Sequence, residues 1–496
     1  MKRSALFTLA SLALVVHASD SPTCNALDNS GISTATSHLS ISYLTETAQY
    51  WSTLCSKLKP SCILWPETPA DVSSILQQLA LNNESFAVKS GGHNPNRGWS
   101  SVNDGVLIAM DKFDEVTLDA VAKTVRVGAG QKWGNVMDKL DGTNFTVVGG
   151  RLSDVGVGGY ILGGGLSFLS TQYGWAANNV LEFEMVLPNG TITSASSTQN
   201  VGLFNALRGG GNNFGIVTTY IMRAHHIGDI WGGNYIFFNS EETETKLLAA
   251  VRDFTEYYPD PKAAIILTHQ QAIGVVSLWT MFLFYDGAQP PVGVFDNFTC
   301  LNPAVDTTQT RSYKDLLDAN SRGSTEGLVF TIGTETLPNP STEHGAEVLA
   351  GVQQAWRTPA QSVQDVVGAV ANIAYQPIPR MLAEKAQELK GDMLNLPADV
   401  DRIMLDINYG HLLPVQYDRI EMALMQSYEN VNKAVANFTA QGKLKDVFKP
   451  LFMDDGFYKQ DIFGRYAPEK RQLAQKVAAE VDPTGLFKTR TGGFKP

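Results

Sequence analysis

Four cysteines in 496 residues are too few for a disulfide-built scaffold, and no two of them form a CxxC pair. That spacing argues against a metal centre. Cys24, Cys55, Cys62 and Cys300 read better as disulfide formers; three pairings are open, and the expectation is one bridge from Cys24 to the Cys55/Cys62 region. Positive charge is also short. Against 49 Asp and Glu stand 38 Lys and Arg, a net charge of −11, which repels a phosphate backbone and disfavours a nucleic-acid partner. After the first twenty residues no apolar run is long enough to cross a bilayer, so no membrane partner is expected. His225, His226, His269 and His344 lack metal-ligand spacing. Around "AVKSGGHNPNRGW" (87–99) there is neither a lysine-serine phosphate loop nor a GxGxxG opening a helix.

The chain begins "MKRSALFTLASLALVVHASD". Lys2 and Arg3, a short apolar run and small residues before Ser19 make residues 1–18 a secretory signal. Secretion fits the cysteines and five Asn-x-Ser/Thr sequons, at Asn83, Asn144, Asn189, Asn297 and Asn437.

The pattern predicts an α+β fold. A helix over 40–59 precedes a β-α-β unit, "SCILWPETPADVSSILQQLALNN" then "SFAVKSGG", its helix capped near Thr68 or Asp71. Short strands, a helix over 133–140 and a hairpin turning at Pro188-Asn189-Gly190 follow. After about residue 228, strands such as "VVSLWTMFLFY" and "RIMLDINYG" alternate with helices at 241–257, 342–356 and 415–440, an antiparallel sheet covered by helices. Residues 19–228, 229–445 and 446–496 therefore read as a first domain, a second domain and a closing segment.

Three glycine clusters, at 90–98, 149–165 and 208–215, belong to the first domain. Glycine lets backbone approach something flat or anionic, and backbone amides can hold a pyrophosphate without a lysine loop. With "KSGGH" (89–93), "VGAG" (127–130), "GGRLSDVGVGGYILGGGLSFLSTQYGWAANNV" (149–180), "RGGGNNFGIVT" (208–218) and the closing "DPTGLF", essentially the whole mature chain resembles the berberine bridge enzyme-like branch of the vanillyl-alcohol oxidase flavoproteins, secreted fungal members above all.

The resemblance implies a PCMH-type FAD-binding domain of two α/β subdomains, and FAD bonded through its 8α carbon to His93. It places cofactor contacts at Lys89, Ser90, Gly91, Gly92, Asn94 and Gly98, and at Gly128 and Gly130. Others fall at Gly150, Leu152, Asp154, Val155, Gly156, Gly158, Gly159, Gly163, Gly165, Gly174, Asn178, Asn179 and Val180, and at Gly215, Ile216, Val217 and Tyr458. Some members have a second, cysteinyl tether where this chain has Leu152, so single attachment is implied. Val155 stands at the position where valine goes with oxygen access, implying an oxidase that releases hydrogen peroxide. The tail departs from the family's Tyr-x-Asn: "FMDD" puts Phe452 and Asp454 there, with Tyr458 near enough to substitute for the lost phenol.

The resemblance implies a reaction in which a base removes a proton as hydride leaves carbon for flavin N5. In "MLDINYGHLL" period-2 alternation puts Asp406 and Asn408 on one face and Ile407, Tyr409 and His411 on the other. Tyr409 and His411 are the first candidates for the base, Asp406 the next. The expected partners are a small molecule (alcohol, amine or secondary-metabolite intermediate) and dioxygen, with the protein a monomer. A carbohydrate oxidase on the same scaffold and a non-catalytic flavin-binding protein stay open as alternatives.

Overall fold

The computed structural model describes residues 21–496 apart from 29, 273, 275 and 323–326. The expected signal segment, residues 1–18, lies outside the described residues. Near the N-terminus, Cys24 and Cys62 are bonded, with Cα atoms 6.5 Å apart, while Cys55 and Cys300 are free thiols.

The first sheet is a β-α-β construction. Strands Cys62–Trp65 and Phe86–Lys89 both run parallel to Val106–Ala109 between them, and Ser33–Ala35 adds an antiparallel edge. Its helix, Pro69–Asn82, starts at a reciprocal cap: the Thr68 hydroxyl accepts from Asp71 N–H, and the Asp71 carboxylate accepts from Thr68 N–H. Pro69 at the first helical position costs nothing, because that N–H has no intrahelical partner. Val72, Ile75, Leu76 and Leu79 form its buried stripe. A second sheet, five antiparallel strands, includes the hairpin Val180–Val186/Ile192–Ser196.

The helix expected over 40–59 stops early. Ile41–Ala48 is helical, and only a short 3-10 turn, Cys55–Lys57, follows. Between them the backbone bonds elsewhere: Trp51 N–H donates to Gly92 O at 3.1 Å and Thr53 N–H to Leu328 O at 2.9 Å. Tertiary pairing here overrides helical propensity.

From Ile230 the chain builds one antiparallel eight-stranded sheet, with helices Glu241–Tyr257, Gly345–Gln361 and Tyr417–Ala440 packed on it. Strand Arg402–His411 shows why only one face is free. Ile403, Leu405, Ile407 and Tyr409 pack with the helices. Met404 packs the other way, with Trp175 and Phe452. The tail joins the first unit's core through Leu451, Met453, Phe463, Tyr466 and Phe487. The α+β expectation is the arrangement observed.

Candidate active site

Strand Phe86–Lys89 runs into Ser90-Gly91-Gly92, and both glycines are sterically required. A Cβ on Gly91 would stand 2.5 Å from Gly156 Cα, and one on Gly92 (φ +70°) 2.6 Å from Gln49 O. The turn thus clasps the second glycine cluster directly and presents His93. Trp51 lies parallel to the imidazole with ring centres 4.6 Å apart, and its own ring stacks on Phe330 at 4.3 Å. Nε2 of His93 is buried with no hydrogen bond; Asp154 Oδ2 stands 3.7 Å away, outside bonding range. Burial alone would raise the Asp154 pKa, but contacts from His93, and then Ser321 Oγ donating at 2.9 Å, bring it down to about 2.

His93 opens on a cavity of about 420 Å³. Its walls include Ser90–Pro95, Leu152, Val155, Gly156, Gly158, Gly159 and Gly163, with Gly215, Ile216 and Val217. Among the described residues, the second unit contributes only Ile332, Asp406 and Asn408, and the tail contributes Phe452, Met453, Asp454, Asp455, Phe487, Gly493 and Phe494.

Asp406 is the sequence candidate for the base that faces this cavity. Asn408 Nδ2 donates to both its oxygens (3.2 and 3.3 Å), and Asn372 Nδ2 holds Asn408 Oδ1 at 2.7 Å, fixing that amide. Burial first, then the charge of Asp455, push the Asp406 pKa up to about 8; Asn408 and Arg151 pull the other way. Asp455, bonded by Gln376 Nε2 at 3.0 Å, is also raised by burial. So is Asp454, which accepts from Gly165 N–H at 3.0 Å.

Tyr409 and His411 are corrections: neither lines the cavity. The pleat turns Tyr409 into the helix-packed core, fully buried, its hydroxyl 2.7 Å from Ser427 Oγ. Burial raises its pKa, the opposite of what a tyrosine base needs. His411 is fully buried with both ring nitrogens unbonded, and burial lowers it to about 4.

Several expected cofactor contacts lie outside the cavity wall. Lys89 is buried in an ion pair with Glu46 (2.5 Å). Asn178 and Asn179 bond Asp392 and His225 or nearby backbone, and Val180 begins a buried strand. Gly128, Gly130 and Gly150 are needed for packing, since a Cβ would strike Phe113 O, Met110 O and the Trp133 ring. Gly98 and Gly174 make positive-φ turns, and Gly165 adds its bond to Asp454. Tyr458 is 42% exposed and donates to Glu421 at 2.6 Å. Conversely, Trp51, Trp99, Arg151 and Tyr160 line the cavity without having been expected there. Arg151 was in view, inside the densest glycine segment, as its one cation.

The FAD binding domain family model matches residues 60–196. An uncharacterized FAD-linked oxidoreductase of Arthroderma benhamiae is 41% identical over 92% of this chain and 91% of its own length. An FAD-dependent monooxygenase of Penicillium terrestre is 32% identical, covering 88% of this chain and 81% of that protein. Among solved structures, a variant of berberine bridge enzyme superposes with a TM-score of 0.75 at 15% identity, over 96% of this chain and 99% of that one. For 6-hydroxy-D-nicotine oxidase of Arthrobacter nicotinovorans the TM-score is 0.72 at 18% identity, over 94% and 98%.

Proposed function

Because the chain belongs to the berberine bridge enzyme-like FAD-linked oxidoreductases, we propose that it is a secreted, monomeric oxidase holding FAD through a single bond to His93. Its substrate is a small organic molecule (an alcohol, an amine or a secondary-metabolite intermediate), dioxygen is the final acceptor and hydrogen peroxide the product. One observation carries the reading: a single cavity has the His93 imidazole and the Asp406 carboxyl on its walls.

The residues present fit the cofactor. At Gly159 nothing lies within 4 Å of where a Cβ would stand, so the wall there is bare backbone beside open space. His93 Nε2 is buried and makes no hydrogen bond, Asp154 Oδ2 standing 3.7 Å away, so its bonding capacity is left for a ligand in the cavity. FAD, when bound, supplies the two-electron acceptor. Asp406 receives the substrate's O–H or N–H proton; the Asn372–Asn408 pair orients its carboxyl, and its raised pKa suits proton transfer near neutral pH. Val155 keeps a small side chain on the wall, consistent with oxygen access. Secretion is supported by the Cys24–Cys62 bond and by all five sequon asparagines being exposed.

The test is spectroscopic, then enzymatic. Yellow colour that stays with acid-precipitated protein is expected, followed by fast reoxidation in air after dithionite. Peroxide release across sugars, alcohols and amines then sorts substrates. A second reading, oxygen insertion, draws on relatives named FAD-dependent monooxygenases at 29% and 32% identity. Isotopically labelled dioxygen separates the two: label in peroxide marks an oxidase, label in the organic product a monooxygenase.

A further inference from the structure

Three carboxyl groups share the cavity wall: Asp406 on the second unit's sheet, and Asp454 and Asp455 on the tail. Among the described residues, Arg151 is the only guanidinium or ammonium lining the cavity. Among the described residues no three His, Cys, Asp or Glu side chains are grouped to hold a metal ion, so protons must balance the surplus. The three are not equivalent. Asp454 is turned to backbone, accepting from Gly165 N–H. Asp455 is turned to the sheet by Gln376. In strand Val370–Ile378, Ala374 lies directly across from Asp406, and Gln376, two residues on, shares that face. Diagonal neighbours in an antiparallel pair stand roughly 7–8 Å apart, within reach of long side chains. Gln376 Nε2, bonded to Asp455 Oδ2 at 3.0 Å, therefore brings the tail carboxyl beside Asp406.

On the reading that Asp406 is the base, we propose that Asp406 and Asp455 form one proton-accepting unit, carrying a single proton between them at neutral pH, with Gln376 as the residue that positions the second member. Two carboxylates close together in a water-poor site do not both ionise, and their titration belongs to the pair. The charged groups facing the pair are Asp454 from the tail, Arg151 from the glycine-rich loop and His93 from the first turn; the flanking strands present Thr334, Ala374 and Gln376, all uncharged. The effect is visible at Asp406: the charge of Asp455 is the second cause, after burial, of its raised pKa. In the step itself the substrate's O–H or N–H bond breaks and a carboxyl O–H bond forms. The pair passes from one proton to two, and one returns to solvent before the next cycle.

Infrared titration of the flavin-loaded protein, in H2O and D2O from about pH 5 to about pH 10, reads the pair without any substrate. The wild type should show a protonated-carboxyl band lost near pH 8. Asp455→Asn should move that transition to lower pH, by at least a tenfold rise in proton concentration. Gln376→Leu should move it in the same direction by less, and Asp454→Asn should leave it in place. Unchanged flavin absorbance and melting temperature certify the fold of each variant. A transition that stays near pH 8 in Asp455→Asn overturns the proposal. Peroxide production by Asp406→Asn is the separate measurement on the underlying reading: if it persists, Asp406 is not the base, whatever the titration of the pair.

Discussion

The two units that enclose the cavity do so by different means. The first sets stretches of bare backbone among its side chains: Gly91, Gly156, Gly158, Gly159 and Gly215 wall the cavity because side chains there would collide or fill it. The second offers three side chains, Ile332, Asp406 and Asn408, from the one sheet face its helices leave uncovered. A wall of backbone suits a large, constant ligand; a wall of side chains suits whatever varies. On the proposed function, cofactor retention falls to the first unit and substrate chemistry to the second.

Breaking each wall separately should therefore give different defects, and these are the largest effects expected. His93→Ala should abolish flavin that survives acid precipitation, read as lost fluorescence on a denaturing gel, while leaving the second unit folded. Asp406→Asn should keep that fluorescence and lower turnover by about 10²–10⁴-fold, the usual range for a lost general base. If one variant shows both defects and the other neither, the division of labour is wrong.

The same contrast decides what could be read from sequence. Glycine clusters are local and dense, so the first wall was legible: His93, Val155 and Gly215–Val217 all line the cavity as expected. The alternation in "MLDINYG" separated Asp406 from Tyr409 correctly, but no one-dimensional pattern says which face the helices will cover. That face went to Tyr409, because Ile403, Leu405 and Ile407 carry it into the helix-packed core. Trp51 was hidden for another reason. Its backbone bonds to Gly92 and its ring stacks on Phe330, partners far along the chain, within a segment whose local pattern reads as helix. Asp455 becomes significant only once Gln376 has brought it to the sheet.

Stability should sharpen the contrast further. Trp356 is fully buried beneath the eight-stranded sheet, and Trp356→Ala should cost about 3–5 kcal/mol in denaturant unfolding. Acid acts on the same core through His269, stacked on Trp279 and 3.0 Å from Ser277 Oγ. Burial, then the charge of Arg357, lowers its pKa to about 3. Because the folded value lies below the unfolded one of about 6.5, this contribution is complete above pH 6.5 and is lost as pH falls toward 3. At pH 5 the loss is about 2 kcal/mol, and His269→Gln should flatten the slope of stability against pH over that window. Asp111 in the first unit carries the opposite sign. Burial first, then Glu46, raise it to about 7, so its contribution is present at low pH and lost as pH rises through 7.

The smallest effect expected is at helix Pro69–Asn82 of the first unit. Thr68→Ala removes the hydroxyl that accepts from Asp71 N–H and leaves the reciprocal Asp71 bonds to Glu67 and Thr68 N–H in place. The cap is exposed, so water replaces the lost acceptor and the cost should be about 1 kcal/mol. Helix Pro69–Asn82 leads into the strand that ends in the Ser90 turn, yet its cap residues Thr68 and Asp71 are not part of the cavity wall. Covalent flavin content should therefore stay at the wild-type level while the melting temperature falls. A drop in flavin content with Thr68→Ala would mean that cofactor retention depends on the stability of the whole first unit rather than on its glycine-lined wall.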